Sequence, residues 1–371
     1  MKHMAQNGLK ALTSAWVLAL LATVAWSQSI TWLGVLNNTE SSNAWGVSND
    51  GSVVIGEAYG GTGTNILHRA FRWTAAGGMV DLGTLGGDQS YASAVSADCS
   101  VVVGRAVDDR GRTRAFRWTA AGGMVDLGTL GGSTSAAYGV SANGRVVVGV
   151  ATTDAGQWRA FRWTADDNRM QNIDTLMGSQ ESRASAVSAD GSVVVGRVKI
   201  GGWWRAFRWT QAGGMVGLGT LPGGRYSYAD GVSADGSVVV GQADNAAGYQ
   251  RAFRWTAAGG MEDLTMTYAN LLAGGSTLQA ATAISPDGRY IVGWGYHAIP
   301  GQIGRIEAFL LDTGLPPRGD ANRNGCVDDA DLLAVLFAFG GQGYRNEDLN
   351  WDGTVDDADL VIVLSNFGSG C

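Results

Sequence analysis

The sequence predicts an all-β protein, a six-bladed β-propeller closed by N- and C-terminal strands, followed by a small α-helical domain. Three observations support this prediction. A repeat fills residues 28–313, each copy contains four short strand-like segments, and the composition becomes acidic after residue 318. Four strands in about 45 residues is the length of one propeller blade.

The repeat is recognised by two phrases. "AFRWT" begins at Ala70, Ala115, Ala160, Ala206 and Ala252, and a degraded copy begins at Ala308. "AVSADGSVVVG" or a variant follows each copy except the last and also precedes the first. We divide each unit into strand a ("AFRWT"), strand b ("MVDLGTL"), strand c ("ASAVSA") and strand d ("SVVVGRA").

The strands at the two ends predict how the ring closes. The repeat region opens on a b-like segment, Thr31–Leu36, and finishes on strand a at Ala308. We expect strands b, c and d from the N-terminal end to join strand a from the C-terminal end, because closure removes exposed sheet edges. An open solenoid is the alternative.

Within each blade, the large apolar residues of strand a are expected to face the neighbouring blade. Phe116 and Trp118 share one side of the strand, and each such residue contributes about 1.5 to 3 kcal/mol by burial. Arg117 points to the other side, where we expect it to pair with Asp126 of strand b.

The first 27 residues have the pattern of a signal peptide, with two Lys residues, an apolar run and small residues at Ala25 and Ser27. The alternative is a membrane anchor. No later stretch has the apolar length of a membrane span. We expect a secreted, extracellular or cell-surface monomer. Nucleic acid is excluded as a partner because residues 319–371 carry ten acids and two Arg.

The repeat resembles the extracellular repeat family known for its "HAF" phrase, with Arg usually in place of the His. That resemblance covers about 285 residues. It implies a secreted or surface β-repeat protein and brings no catalytic residues.

The two ends of the blades differ in how much their loops vary. The turns "TAAGG" and "SADGS" recur almost unchanged, and we interpret their Asp residues as turn formers rather than ligands. The b–c and d–a loops vary and are rich in aromatic residues, which can stack on sugar rings or peptides. The alternative is that they cover the blade ends. The candidate ligand-binding residues are Trp158, Trp203, Trp204, Tyr226, Tyr228, Tyr249, Tyr296 and His297.

No catalytic residues are predicted. Only His68 and His297 remain outside the signal peptide, which argues against a multi-His metal site. Acid pairs such as Asp108 with Asp109 or Asp166 with Asp167 would suit a hydrolase acting on O-glycosyl bonds. Adjacent acids on loops are more often solvated charge.

The acidic tail, residues 319–371, follows a linker at residues 314–318 and contains two loops of calcium-binding type. Oxygen ligands at loop positions 1, 3, 5, 7, 9 and 12, with Gly at position 6, suit Ca²⁺. We therefore expect two Ca²⁺ ions. The first set of ligands is Asp320, Asn322, Asn324, the Cys326 carbonyl, Asp328 and Asp331. The second set is Asp348, Asn350, Asp352, the Thr354 carbonyl, Asp356 and Asp359.

The tail resembles a type I dockerin, a duplicated loop–helix (F-hand) module that attaches its cargo to a cohesin domain. This implies a cohesin-like or cell-surface scaffold as partner, and the same ligand residues. The apolar helix positions would divide between the module's own core and a partner; they are Leu332, Leu333, Leu336, Phe339, Leu360, Val361, Leu364 and Phe367.

The tail departs from that family where partners are recognised. The positions after loop position 9 hold Asp329–Ala330 and Asp357–Ala358 instead of a Ser/Thr pair, and neither helix contains Lys or Arg. Calcium binding is compatible with these changes. Classical cohesin binding does not follow, so the module either docks to a divergent cohesin or only caps the C-terminus.

The three Cys residues suit an exported protein. Cys326 and Cys371 are plausible disulfide partners. Cys99 occupies a turn position that is usually Gly, and we expect it to be a buried free thiol or to bond another chain.

Three functions follow from these patterns. The first is a non-catalytic binding or scaffold protein, with a ligand such as a polysaccharide on the variable loops. The second is an enzyme of polysaccharide catabolism. The third is a purely structural envelope protein.

Overall fold

The repeated phrases fold as antiparallel strands that end at tight turns. The computed structural model of the chain describes residues 31–48, 51–61, 67–314, 317–343 and 345–371. The predicted signal peptide lies outside the described residues, as does part of the predicted linker. No described helix is long and apolar enough to cross a membrane.

The strands are short and evenly spaced along the chain. Those of the first half are β1 (Ser41–Val47), β2 (Val53–Gly60), β3 (Leu67–Thr74), β4 (Gly78–Asp81), β5 (Gly86–Val95), β6 (Val101–Asp108), β7 (Thr113–Thr119), β8 (Gly123–Asp126), β9 (Gly131–Val140), β10 (Val146–Thr153), β11 (Trp158–Thr164) and β12 (Arg169–Asn172). Those of the second half are β13 (Ser179–Val187), β14 (Val193–Ile200), β15 (Trp203–Thr210), β16 (Gly214–Gly219), β17 (Ser227–Val232), β18 (Val238–Asp244), β19 (Gln250–Thr256), β20 (Gly260–Asp263), β21 (Thr277–Ile284), β22 (Tyr290–His297) and β23 (Arg305–Asp312).

These strands form consecutive antiparallel blades of a β-propeller. Sheets 1 to 5 each pair four successive strands, from β1–β4 to β17–β20, and sheet 6 contains β21, β22 and β23. A single parallel bridge between His68 and Gln89 links the first two sheets. A short helix, α1 (Leu264–Thr267), and a 3₁₀ turn (Ala269–Leu271) lie between sheets 5 and 6.

The grouping of strands differs from the predicted one. Each sheet begins with strand c and ends with strand b, because β2 pairs with β1 on one side and with the following strand a, β3, on the other. The prediction that N-terminal strands b, c and d share a blade is therefore wrong. Thr31–Leu36 forms no strand, and among the described residues β23 pairs only with β22. Closure of the ring remains a prediction.

The core lies between successive sheets. Phe116 from sheet 2 is fully buried against Ile55 and Ala70 of sheet 1, and Trp118 packs at the margin of the same cluster. The equivalent Phe residues are also fully buried: Phe71, Phe161, Phe207 and Phe253. The predicted role of the strand-a aromatic residues agrees with this packing.

Glycine at the centre of strand d is required by the close approach of strand c. A Cβ atom on Gly149 would lie 2.0 Å from the Ala136 carbonyl oxygen. The recurring "VVVG" phrase therefore reflects crowding inside each sheet.

The repeated arginines do not pair as predicted. Asp126 is bound by Arg114, whose Nε lies 2.9 Å from its Oδ2 atom. Arg117 instead donates from Nε to the Gly144 carbonyl oxygen in the next sheet, at 3.1 Å. The sequence did not separate the two because both arginines belong to the same repeated phrase.

A buried serine joins each pair of sheets from sheet 1 to sheet 5. Ser135 Oγ accepts a hydrogen bond from Ala115 N at 2.9 Å and donates one to the Gly128 carbonyl at 2.6 Å. The equivalent serines, also fully buried, are Ser90, Ser182 and Ser227. These bonds fix the sheets relative to one another.

The two terminal sheets expose apolar side chains on their outer strands. In β1, Trp45 and Val47 are each 60% exposed, whereas Ile306 and Leu310 in β23 are 57% and 68% exposed. Internal sheets bury the equivalent surfaces.

The acidic tail contains two helices, α2 (Asp329–Ala338) and α3 (Asp357–Ser365), and belongs to the same compact unit as the sheets, Gly34–Cys371. Its core is formed by Ala321, Val327, Val335, Val355 and Val363. Of the predicted helix positions, only Leu332 and Leu360 pack at the margin of this core. Sequence reasoning missed Val335 and Val363, and most of the larger side chains are exposed.

Candidate functional site

The first acidic loop is organised by its first and last carboxylates. Asp320 accepts hydrogen bonds from the backbone N–H groups of Asn324 and Gly325, at 3.0 and 2.8 Å. Asp331 accepts from Asn322 N and Asp328 N, each at 2.9 Å. The loop is thereby wrapped around the two carboxylates.

The second loop repeats this geometry. Asp348 accepts from Asp352 N and Gly353 N at 3.1 and 2.8 Å. Asp359 accepts from Asn350 N and Asp356 N at 3.1 and 2.9 Å. The position-9 residues, Asp328 and Asp356, also cap the helices that follow.

The burial of these carboxylates fits a bound cation. Asp331, Asp348 and Asp359 are fully buried and Asp320 is 4% exposed. Within the described chain, none of them forms an ion pair with a basic side chain. Burial, together with repulsion from Asp359 and Asp352, raises the pKa of Asp348 to about 6. Buried carboxylates without a cation are costly, so the loops suit a hard metal ion.

The predicted calcium ligands are of several chemical types. Among the described residues, no group of three His, Cys, Asp or Glu side chains meets the geometry of a metal site. Each predicted set also contains amide and backbone oxygens, which Ca²⁺ accepts as ligands.

The ends of the tail are covalently joined. Cys326 and Cys371 form a disulfide with their Cα atoms 4.7 Å apart. Cys99 is half-buried rather than buried. Its φ of +61° and its place in the turn explain why other repeats have Gly there.

The first loop also contacts the propeller. Arg323 lies between Asn322 and Asn324 and forms an ion pair with Asp235, in the c–d turn of sheet 5. Burial opposes ionisation of Asp235, but hydrogen bonds from Ser233 and Ser237 and the charge of Arg323 hold its pKa below the usual value. The turn aspartates otherwise bond their own Ser and backbone groups, as expected of turn formers.

On the side of the variable loops, three of the predicted aromatic residues are connected by two arginines. Arg183 lies 5.9 Å from the Trp158 ring and 5.7 Å from the Trp204 ring. Arg197 lies 5.3 Å from Trp204 and 4.9 Å from the Tyr228 ring. We call these five residues the rim array.

The rim array continues beyond Tyr228. The Tyr226 ring lies 5.3 Å from that of Tyr228. Asp230, on the same strand as Tyr228, accepts a hydrogen bond from Gln242 at 3.3 Å, and burial raises its pKa to about 6 against the opposing effects of Gln242 and Arg197.

The other predicted rim residues lie apart from the array. Trp203 contacts Arg225, and Tyr249 contacts Arg251. Tyr296 and His297 line a cavity of about 310 Å³ at sheet 6, where His297 Nδ1 lies 2.8 Å from Glu307 Oε2. The structure therefore groups half of the predicted rim residues.

The loop acids are held by neighbouring groups. Burial raises the pKa of Asp108, but hydrogen bonds from Arg112 and from backbone N–H groups outweigh it and lower this pKa to about 2. Asp166 forms an ion pair with Arg145, and Asp167 accepts from Thr164 Oγ1 at 3.1 Å. These contacts suit structural charges and not the proton donor of a hydrolase.

Sequence reasoning missed the two arginines of the rim array. Arg183 occupies the strand-c position that holds Tyr91 in sheet 2 and Tyr228 in sheet 5. The departure of Arg183 from the repeat at that position was the available signal.

No protein-family model matches the chain, and no curated protein is significantly similar to it. Among solved structures, TolB from Acinetobacter baumannii is 14% identical with a TM-score of 0.45, over 66% of this chain and 57% of that one. A putative TolB from Agrobacterium tumefaciens is also 14% identical, with a TM-score of 0.45, over 73% and 90% of the two chains. The β-propeller domain of the Trilobed protease from Pyrococcus furiosus is 8% identical with a TM-score of 0.47, over 74% and 83%.

The chain spans just over half the length of the Acinetobacter protein. At these identities and TM-scores, the similarities say nothing about what this chain binds or catalyses.

Proposed function

We propose that this chain is an exported, non-catalytic binding protein whose propeller holds a carbohydrate on the side of its variable loops. The rim array supports the proposal. Trp158, Trp204 and Tyr228 come from three successive sheets, so their rings offer several adjacent stacking surfaces to an extended ligand. Rigid aromatic side chains lose little conformational entropy when they bind.

A glycan array tests this function. Binding of a polysaccharide by the full chain should be lost in Trp204→Ala. Tyr249→Ala is the matched control, because Tyr249 is 64% exposed on the same side but lies outside the array. Equal loss of polysaccharide binding in both variants, or retention of binding in Trp204→Ala, would contradict a binding site at the rim array.

We also propose that the tail binds two Ca²⁺ ions and attaches the protein to a cohesin-type or cell-surface partner. The buried carboxylates support the first part. The second is supported by apolar side chains on the helices, of which Phe337 is 87% exposed and Leu364 60%. Scanning calorimetry at increasing Ca²⁺ concentration should show a rising unfolding midpoint for the wild type. The rise should be smaller in the double variant Asp331→Asn with Asp359→Asn. An unchanged unfolding midpoint would refute calcium binding.

The ring is proposed to close with six blades, the N-terminal segment supplying the missing strand b of sheet 6. The exposed face of β23 and the incomplete sheet support this. A disulfide engineered between a residue of Thr31–Leu36 and β23 should form within one chain. Cross-linking only between chains would contradict closure.

A polysaccharide hydrolase is the alternative, favoured by the position of Asp230. This carboxyl group lies on the same strand as Tyr228 of the rim array, and its burial, which raises its pKa to about 6, suits a general acid. Release of reducing sugar that disappears in Asp230→Asn would support this activity over simple binding.

A further inference from the structure

Two arginines face each other across neighbouring strands in the rim array. Arg183 of β13 and Arg197 of β14 are direct cross-strand partners, so their side chains project from the same face of sheet 4. Like charges at such positions destabilise a sheet. Their presence therefore needs a compensating anion or a functional reason.

Within the described residues, an ion pair compensates only one of them. Glu181 accepts two hydrogen bonds from Arg183, at 2.9 and 2.6 Å. Arg197 forms no ion pair within the described residues, and its buried Nε atom has no hydrogen-bond partner. Lys199, the cross-strand partner of both Glu181 and Trp204, adds a further positive charge.

The terminal nitrogens of Arg197 are the donors left for a ligand, because its Nε atom is buried. Guanidinium groups stack on aromatic rings through their flat faces, and the N–H groups at the edge remain able to bind a carboxylate with two parallel hydrogen bonds. The guanidinium carbon of Arg197 lies 5.3 Å from the centre of the Trp204 ring and 4.9 Å from that of Tyr228. The array thus places the terminal N–H groups of a guanidinium among surfaces suited to sugar rings.

We infer that the rim array binds a carboxylate-bearing polysaccharide, with Arg197 holding the carboxylate of one uronate sugar and the aromatic rings stacking on its neighbours. This inference rests on the proposed carbohydrate-binding function and names its substrate class. The local charge supports it, because Arg183, Arg197 and Lys199 outnumber the carboxylates of Glu181 and Asp230 in a chain whose net charge is −7.

Isothermal titration of the full chain with an oligogalacturonate and with its fully methyl-esterified form tests the inference. The ester removes the charge and keeps the sugar rings. We expect the esterified form to bind about tenfold more weakly or worse, the usual size of a charged hydrogen-bond contribution. Affinity for the acidic form should also fall as salt is raised.

Variants separate the role of Arg197 from general damage. Arg197→Gln should lose the preference for the acidic form, and Arg197→Lys should retain part of it because the charge remains. Arg225→Gln is the control, since Arg225 contacts Trp203 outside the array. Unfolding midpoints of all three variants verify that they fold.

The outcomes are distinguishable. Equal affinity for both forms, or equal loss in Arg197→Gln and Arg225→Gln, would overturn the uronate inference and leave carbohydrate binding intact. If the chain binds neither these oligomers nor any glycan of the glycan array, both the inference and the proposed function are overturned.

Discussion

At the scale of single residues, Asp230 makes stability depend on pH. Burial raises its pKa to about 6 from 3.8, so between these values the folded chain binds more protons than the unfolded chain. Stability from this group is therefore lost as pH rises from about 4 to about 6. The full effect is about 2 to 3 kcal/mol at 1.36 kcal/mol per pKa unit.

Asp230→Asn should remove this loss. Urea unfolding at intervals between pH 4 and pH 8 should give a flatter profile for the variant than for the wild type. Asp109→Asn, at an exposed loop position, serves as the control. A variant profile parallel to that of the wild type would show that Asp230 is not the titrating group.

Residue partners were the least predictable part of the sequence. Phe116 and Trp118 were placed correctly because side chains two apart on a strand share a face. Asp126 was assigned to Arg117, although Arg114 binds it. The side of the strand on which a side chain lies could not distinguish Arg114 from Arg117 as the partner of Asp126. Arg117 donates to a carbonyl oxygen of the next sheet, and the position of that oxygen depends on how the sheets pack.

At the scale of strands and sheets, the hydrogen bonds of the buried serines between neighbouring sheets can be tested. Ser135→Ala leaves Ala115 N without its partner inside the core, and such a loss costs about 1 to 3 kcal/mol. Ser133→Ala, two residues earlier on the same strand and exposed, should change stability little. Urea unfolding measures both, and similar values for the two variants would contradict the role of Ser135.

The repeat was sufficient to predict the strands, but not how they are grouped into sheets. A period of about 45 residues identifies four strands but leaves open which of them begins each sheet. The turn of the first acidic loop was easier to predict, because Asp320, Gly325 and Asp331 lie close together in the sequence. Calcium binding by this loop stays a prediction.

At the scale of the whole molecule, the contact between the tail and the propeller depends on Arg323. Arg323→Ala should loosen the tail from the c–d turn of sheet 5, at a cost below about 1 kcal/mol because the ion pair is partly solvated. Hydrogen exchange should become faster at residues 233–237 and in the first acidic loop.

Arg169→Ala is the matched control, because Arg169 is exposed at the end of sheet 3. Unchanged exchange at residues 233–237 in Arg323→Ala would show that the tail is held by other contacts. Faster exchange throughout the chain would instead indicate loss of global stability.

The hydrogen bonds between turns have a consequence for how such a chain evolves. Ala142 N bonds Ala189 O, Ala189 N bonds Ala234 O, and Ala234 N bonds Pro286 O, so each of these turns is tied to the turn of the next sheet. Unequal recombination at the repeated phrase can thus insert or delete a whole unit while the remaining junctions re-form unchanged. Each inserted unit brings two further variable loops, so the number of such loops changes by two with every event.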